Sequence, residues 1–230
     1  MLVKIAHKRI ALTAAAAVLG SSLTVAASAQ AHTSRPQQPT AAAAANVRAG
    51  GQSMKLAPAA LTSLRGKQAA SGNFSYLQFK KGSNPQNSRL YFVFVQATNP
   101  DHVHSWTLGS WRAGSGTGSK NTCASNHGWL PNGTYTIKAF YKHHNGGLHG
   151  VNGIAWYIGN HNCQTGHPRT DLFVHSEMLP SGKAGTAEPY RWDGNSDYKS
   201  NGCIKLKPAD IRSLRDLQSG YPDPHKLYVS

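Results

Sequence analysis

At 230 residues, 39% of them hydrophobic, the chain has material for one full-sized domain, and a single apolar run at its start excludes a multi-span membrane bundle. Its 24 Lys and Arg against 9 Asp and Glu give a net charge of +15, which attracts polyanions. No motif for reading bases accompanies that charge, so nucleic acid is set aside as a partner.

Residues 1–31 have the pattern of a secretory signal peptide. Lys4, Lys8 and Arg9 precede an apolar, alanine-rich stretch from Ile10 to Ala27, and Ala29-Gln30-Ala31 offers a small-residue cleavage site. Gly20, Ser21 and Ser22 interrupt the stretch, which argues against a retained anchor. Without Lys4, Lys8 and Arg9 the remainder keeps 21 basic against 9 acidic residues, a net +12. For a secreted protein the available polyanions are anionic wall polymers and phospholipid head groups, so a cell-wall association is expected.

Residues 32–72 read as a low-complexity linker of Gln, Pro, Thr, Ser and Ala. Within it Leu56, Leu61 and Leu64, with Lys55, Arg65 and Lys67 between them, allow a short amphipathic helix. From residue 73 to 230 aromatic and β-branched segments alternate with Gly, Asn, Ser and Pro clusters, the pattern of a mainly β domain. Strands are predicted near Tyr76–Phe79, Leu90–Gln96, Tyr135–Tyr141, Ile154–Ile158, Leu172–His175, Cys203–Leu206 and Leu227–Val229. A helix is predicted to open at Pro208, with Asp210 in its first turn and Ile211, Leu214 and Leu217 on one face, and to end at Gly220. Tyr141–Gly159, rich in glycine, reads equally well as a lid or as a plain hairpin.

The chemistry concentrates in two stretches, Leu172-Phe173-Val174-His175-Ser176 and Ser200-Asn201-Gly202-Cys203-Ile204-Lys205. A thiol attacks a carbonyl as its thiolate, and an imidazole takes the proton and later returns it to a departing amine. Cys203 and His175 suit those roles, and Gly202 allows main-chain N–H groups to approach an oxyanion.

In this order the residues resemble the L,D-transpeptidase (YkuD-type) catalytic domain. That family carries a His, often followed by Gly or Ser, then Ser/Thr-x-Gly-Cys and a polar residue two positions later. Here these are His175, Ser176, Ser200, Gly202, Cys203 and Lys205. Pro131-Asn132-Gly133-Thr134-Tyr135 resembles a second family landmark, so the likeness runs from about Leu90 to Leu217. Asn201 stands where many members carry His, Lys205 where Arg or Asn is usual, and the 28 positions from His175 to Cys203 are a long interval.

The resemblance implies a β-sandwich-like catalytic domain with a short helix after the nucleophile strand. It implies peptidoglycan stem peptides as substrate, with Cys203 taking the acyl group of a diamino acid and releasing D-alanine. Ser176 and Ser200 would support the imidazole and thiolate, while Lys205, Asn201, Tyr157 and Trp156 are candidates for binding substrate. A monomer without cofactor is expected. Since Cys203 has a use as a free thiol, the odd cysteine count places the disulfide between Cys123 and Cys163.

Five of the nine acids, Asp171, Glu177, Glu188, Asp193 and Asp197, fall between positions 171 and 197, which suggests steering of a cationic amine toward the site. Two rivals are weighed beside the acyltransferase. His102, His104, His143, His144, His149, His161 and His167 raise a zinc site, but no HExxH helix is present and no metal is expected. A noncatalytic wall-binding protein would stack sugars on Trp106, Trp111, Trp129, Trp156 and Trp192. Water in place of the acceptor amine would make the enzyme an L,D-carboxypeptidase.

Overall fold

The computed structural model describes residues 72–99 and 102–230. The predicted signal peptide, the linker and its helix lie outside the described residues. The described part is mainly β. Nine strands form two sheets, joined by one α-helix and a single 3-10 turn at Asn195–Tyr198.

Strands β1 (Gly72–Lys80), β2 (Ser88–Asn99), β3 (His102–Ala113), β4 (Gly133–Thr136) and β9 (Pro224–Val229) make a five-stranded sheet in the order β3-β2-β1-β9-β4. The other sheet has the order β5-β6-β7-β8, from β5 (Ala139–Asn145), β6 (Asn152–Asn162), β7 (Pro168–Ser176) and β8 (Ile204–Lys205). Most neighbours are antiparallel; β1 with β9 and β7 with β8 run parallel.

Alternation along the strands builds the core between the sheets. Leu77 and Phe79 of β1, Leu90 and Phe92 of β2, and Leu227 of β9 meet Trp156 of β6, Val174 of β7 and Ile204 of β8, all fully or almost fully buried. The opposite face of the five-stranded sheet carries a second apolar cluster, Tyr76, Val93, Val95 and Tyr228.

The predicted helix is α1 (Pro208–Gly220), with Pro at its start and Ile211 and Leu214 buried in the core. It ends at the predicted glycine. Gln218, on the buried face, accepts a hydrogen bond from the Trp156 indole at 2.5 Å.

Two sequence expectations change. The strand predicted over Tyr135–Tyr141 is two strands in different sheets. At the crossover Ile137 N–H donates to His225 of the first sheet (3.0 Å) and Lys138 N–H to Tyr157 of the second (2.8 Å). Strand β3 has no counterpart among the predicted strands: its residues are mostly exposed or half-buried, so apolar alternation is weak, and its antiparallel pairing with β2 makes it a strand.

Cys123 and Cys163 form a disulfide with Cα atoms 5.3 Å apart, joining the β3–β4 loop to the β6–β7 turn. Closing an interval of 40 residues stabilises by about 3–4 kcal/mol on the chain-entropy estimate. Cys203 is the free cysteine.

Candidate active site

Strand periodicity assembles the site. Along β7, Leu172, Val174 and Ser176 are buried while Phe173 and His175 are half-buried, so the two sets face opposite sides of the sheet. Parallel pairing sets Val174 against Ile204 and His175 against Lys205, which brings Cys203, one residue before β8, to the edge beside Phe173 and His175. Cys203, His175, Phe173 and Lys205 all line one cleft of about 720 Å³. The tip of the β5–β6 hairpin, Gly146 to Asn152, forms another wall. The glycine-rich segment is thus a hairpin bordering the cleft.

His175 Nδ1 lies 3.1 Å from the Ser176 carbonyl. A carbonyl only accepts, so Nδ1 carries the hydrogen and Nε2 is the basic nitrogen. Burial holds the imidazole down to about 3, with help from the Lys205 charge and against the Ser176 hydrogen bond. Burial pushes the Cys203 thiol up to about 11, opposed by the Phe173 N–H and the Lys205 and Arg169 charges. The resting pair is therefore a neutral thiol and a neutral imidazole. Cys203 Sγ meanwhile points at the Asp171 carbonyl, 3.7 Å away, and Asp171 itself adopts φ +52° at an irregular point of β7.

The turn that carries Cys203 is pinned at its carbonyls. Arg169 Nη2 donates to Asn201 O at 3.0 Å, Ser115 Oγ to Gly202 O at 3.1 Å, and Ser200 Oγ to Cys203 O at 2.6 Å. Ser200 Oγ also accepts from the Gly202 N–H at 3.2 Å and the Gly116 N–H at 3.1 Å. The Gly202 N–H is thereby taken. Among the described residues the Cys203 N–H has no protein acceptor, so it is a main-chain donor free beside the sulfur, of the kind that could meet an oxyanion.

The remaining predicted site residues separate. Ser200 holds the turn that carries Cys203. Ser176 reaches the imidazole by its carbonyl, while its hydroxyl is buried with no hydrogen-bond partner among the described residues. Asn201 lines the cleft with its main chain tied to Arg169.

Lys205 is buried and ion-paired to Glu177, so its charge is already answered; burial raises the Glu177 pKa against that pairing. Trp156 stands opposite Val174, fully buried in the core, and is corrected to a structural residue. Tyr157 stands opposite Phe173 with ring centroids 4.9 Å apart; it backs a cleft residue without lining the cleft.

Of the clustered acids, Glu188 and Asp193 pair with Arg191 on the surface, and Asp197 accepts from the N–H groups of Asp193 and Gly194. That consumes the proposed steering loop and leaves Asp171 and Glu177 as the cleft acids. Trp111, Trp129 and Trp156 are buried, so the stacking platforms of a sugar-binding module reduce to Trp106 and Trp192. Among the described residues no group of three or more His, Cys, Asp or Glu is placed to hold a metal ion.

Sequence reasoning missed Ser115 and Arg169. Both act on main-chain carbonyls far along the chain, which leave no side-chain pattern to read.

No family model matches this chain, and no curated protein matches it. Among solved structures, the chain is similar to the structure of Bdellovibrio bacteriovorus Bd1075, with 11% identity and a TM-score of 0.41 over 68% of this chain and 47% of that one. This chain thus spans about half the length of that protein. Likeness at this level assigns no function.

Proposed function

We propose that the protein is a secreted, cell-wall-associated cysteine acyltransferase of the L,D-transpeptidase type, acting on peptidoglycan stem peptides. The observation that carries this reading is the free thiol of Cys203 beside His175 on the cleft face of one sheet, on a turn whose three carbonyls are each held by a side chain.

In the proposed reaction His175 Nε2 takes the thiol proton as Sγ bonds to the carbonyl carbon of the diamino acid. The oxygen gains the electron pair and meets the Cys203 N–H. Collapse breaks the carbon–nitrogen bond, and the imidazolium gives its proton to the departing amine of D-alanine. A thioester remains, and an acceptor amine attacks it by the reverse sequence, with His175 again taking a proton. The bridged Cys123–Cys163 pair fits an oxidising compartment.

The test is incubation of the protein and its Cys203→Ala form with disaccharide-tetrapeptides, followed by mass spectrometry. The expected result is a Cys203-dependent acyl-enzyme, loss of D-alanine and crosslinked dimers. Tripeptide alone converts the reading to an L,D-carboxypeptidase; no adduct and no product overturns it.

A further inference from the structure

Arg169 is buried, 3% exposed, yet among the described residues no carboxylate pairs with it. Its acceptors are four main-chain carbonyls on two separate loops. Nη1 donates to Thr122 O at 2.6 Å and Trp129 O at 3.3 Å, and Nη2 to Gly128 O at 3.2 Å and Asn201 O at 3.0 Å. Burying a cation without a counter-ion is costly, and the planar fork of a guanidinium is the side chain able to satisfy so many fixed acceptors at once.

Three observations tie this group to the nucleophile. First, Gly202 has φ +117°, and a Cβ there would sit 2.1 Å from Arg169 Nη2, so the turn rests directly on the guanidinium. Second, the Asn201–Gly202 peptide is held at both ends, its C=O by Arg169 and its N–H by Ser200. A flip of that plane would forfeit both bonds. Third, the far anchor is itself secured, because Thr122 adjoins Cys123, whose disulfide reaches Cys163 at the turn leading into Arg169's own strand.

We propose that Arg169 is a positioning residue for Cys203, bridging the 122–129 loop to the nucleophile turn and locking the Asn201–Gly202 peptide so that the sulfur and the Cys203 N–H face the cleft. Its positive charge also favours the thiolate. Only the activity arm of the test rests on the acyl-transfer reading.

Arg169→Met and Arg169→Lys are compared with the wild type by two readouts, with near-ultraviolet circular dichroism to establish folding. Iodoacetamide labelling of Cys203 is followed against pH by mass spectrometry. In Arg169→Met the apparent thiol pKa rises by about one unit, slowing labelling about tenfold below that pKa. On disaccharide-tetrapeptide, kcat for either variant falls at least about tenfold, with KM changed less than about threefold.

A folded Arg169→Met protein with the wild-type labelling profile and kcat overturns the proposal. If Arg169→Met does not fold, Arg169→Lys decides: it keeps the charge but not the fork, so a wild-type kcat there overturns the positioning role. A wild type that labels normally but never forms an acyl-enzyme refutes the acyl-transfer reading instead, and the labelling comparison still judges Arg169.

Discussion

The two sheets spend their faces differently. The five-stranded sheet packs on both sides, with Leu77, Phe79, Leu90 and Phe92 toward the main core and Tyr76, Val93, Val95 and Tyr228 on the other side. At β7 and β8 the four-stranded sheet packs on one side alone: Leu172, Val174 and Ile204 enter the core, while Phe173, His175, Cys203 and Lys205 face the cleft. Adjacent residues on one strand therefore serve different ends. Substitutions toward the core should act through stability, and those toward the cleft through chemistry.

Gly202→Ala should produce the largest departure from that division, because it strikes both at once. It forces a side chain into a left-handed φ and against Arg169, so about 2–4 kcal/mol of stability and about a hundredfold of acylation rate should be lost. Urea unfolding and single-turnover acylation measure the two.

Glu177→Ala should come next. It leaves the Lys205 ammonium buried without its partner, and since Glu177 is partly exposed the cost should be about 2–3 kcal/mol, below that of a fully buried pair. A thermal melt reads it. Val174→Ala, one position from the imidazole but on the core face, should cost about 2 kcal/mol while kcat stays within about twofold of wild type. A large kcat loss there would show that the two faces are not separable.

The smallest effect concerns pH. His175 stays neutral in the folded protein down to about 3 but protonates near 6.5 when unfolded, so the unfolded state binds the extra proton between these values. Stability contributed by keeping this ring neutral is full above pH 6.5 and is lost as pH falls. Between about pH 6.5 and 4.5 the wild type should lose about 1–2 kcal/mol more than His175→Gln, the part-exposure of the ring reducing the limiting slope. Equal pH dependence in parallel denaturation series would contradict the neutral-imidazole assignment.

Much of the fold was legible because it follows from local chemistry. Seven predicted strand segments coincide with strands, although one divides at Ile137–Lys138, and α1 starts and stops where Pro208 and Gly220 direct. Strand β3 escaped notice since an edge strand with polar and glycine residues has little alternation to read. The thiol and imidazole were legible as residue types in order. The assignment of Trp156 to substrate failed because aromaticity does not tell which face of a strand a ring takes; its register opposite Val174 turns it inward.

By itself the sequence determined the mainly β character, the helix after the Cys203 strand, and the candidate Cys203 and His175, because periodicity, caps and reactive groups are properties of short stretches. It also led to the Cys123–Cys163 bridge, by leaving Cys203 the one thiol with a chemical use. Only the tertiary structure decided that Arg169 and Ser115 hold the turn, that Glu177 answers Lys205, and that the Cys203 N–H rather than that of Gly202 stays open. The contacts of Arg169, Ser115 and Glu177 join residues 28 to 87 positions apart, those of Arg169 and Ser115 through main-chain groups that every residue shares, and so nothing in the order of side chains announces them.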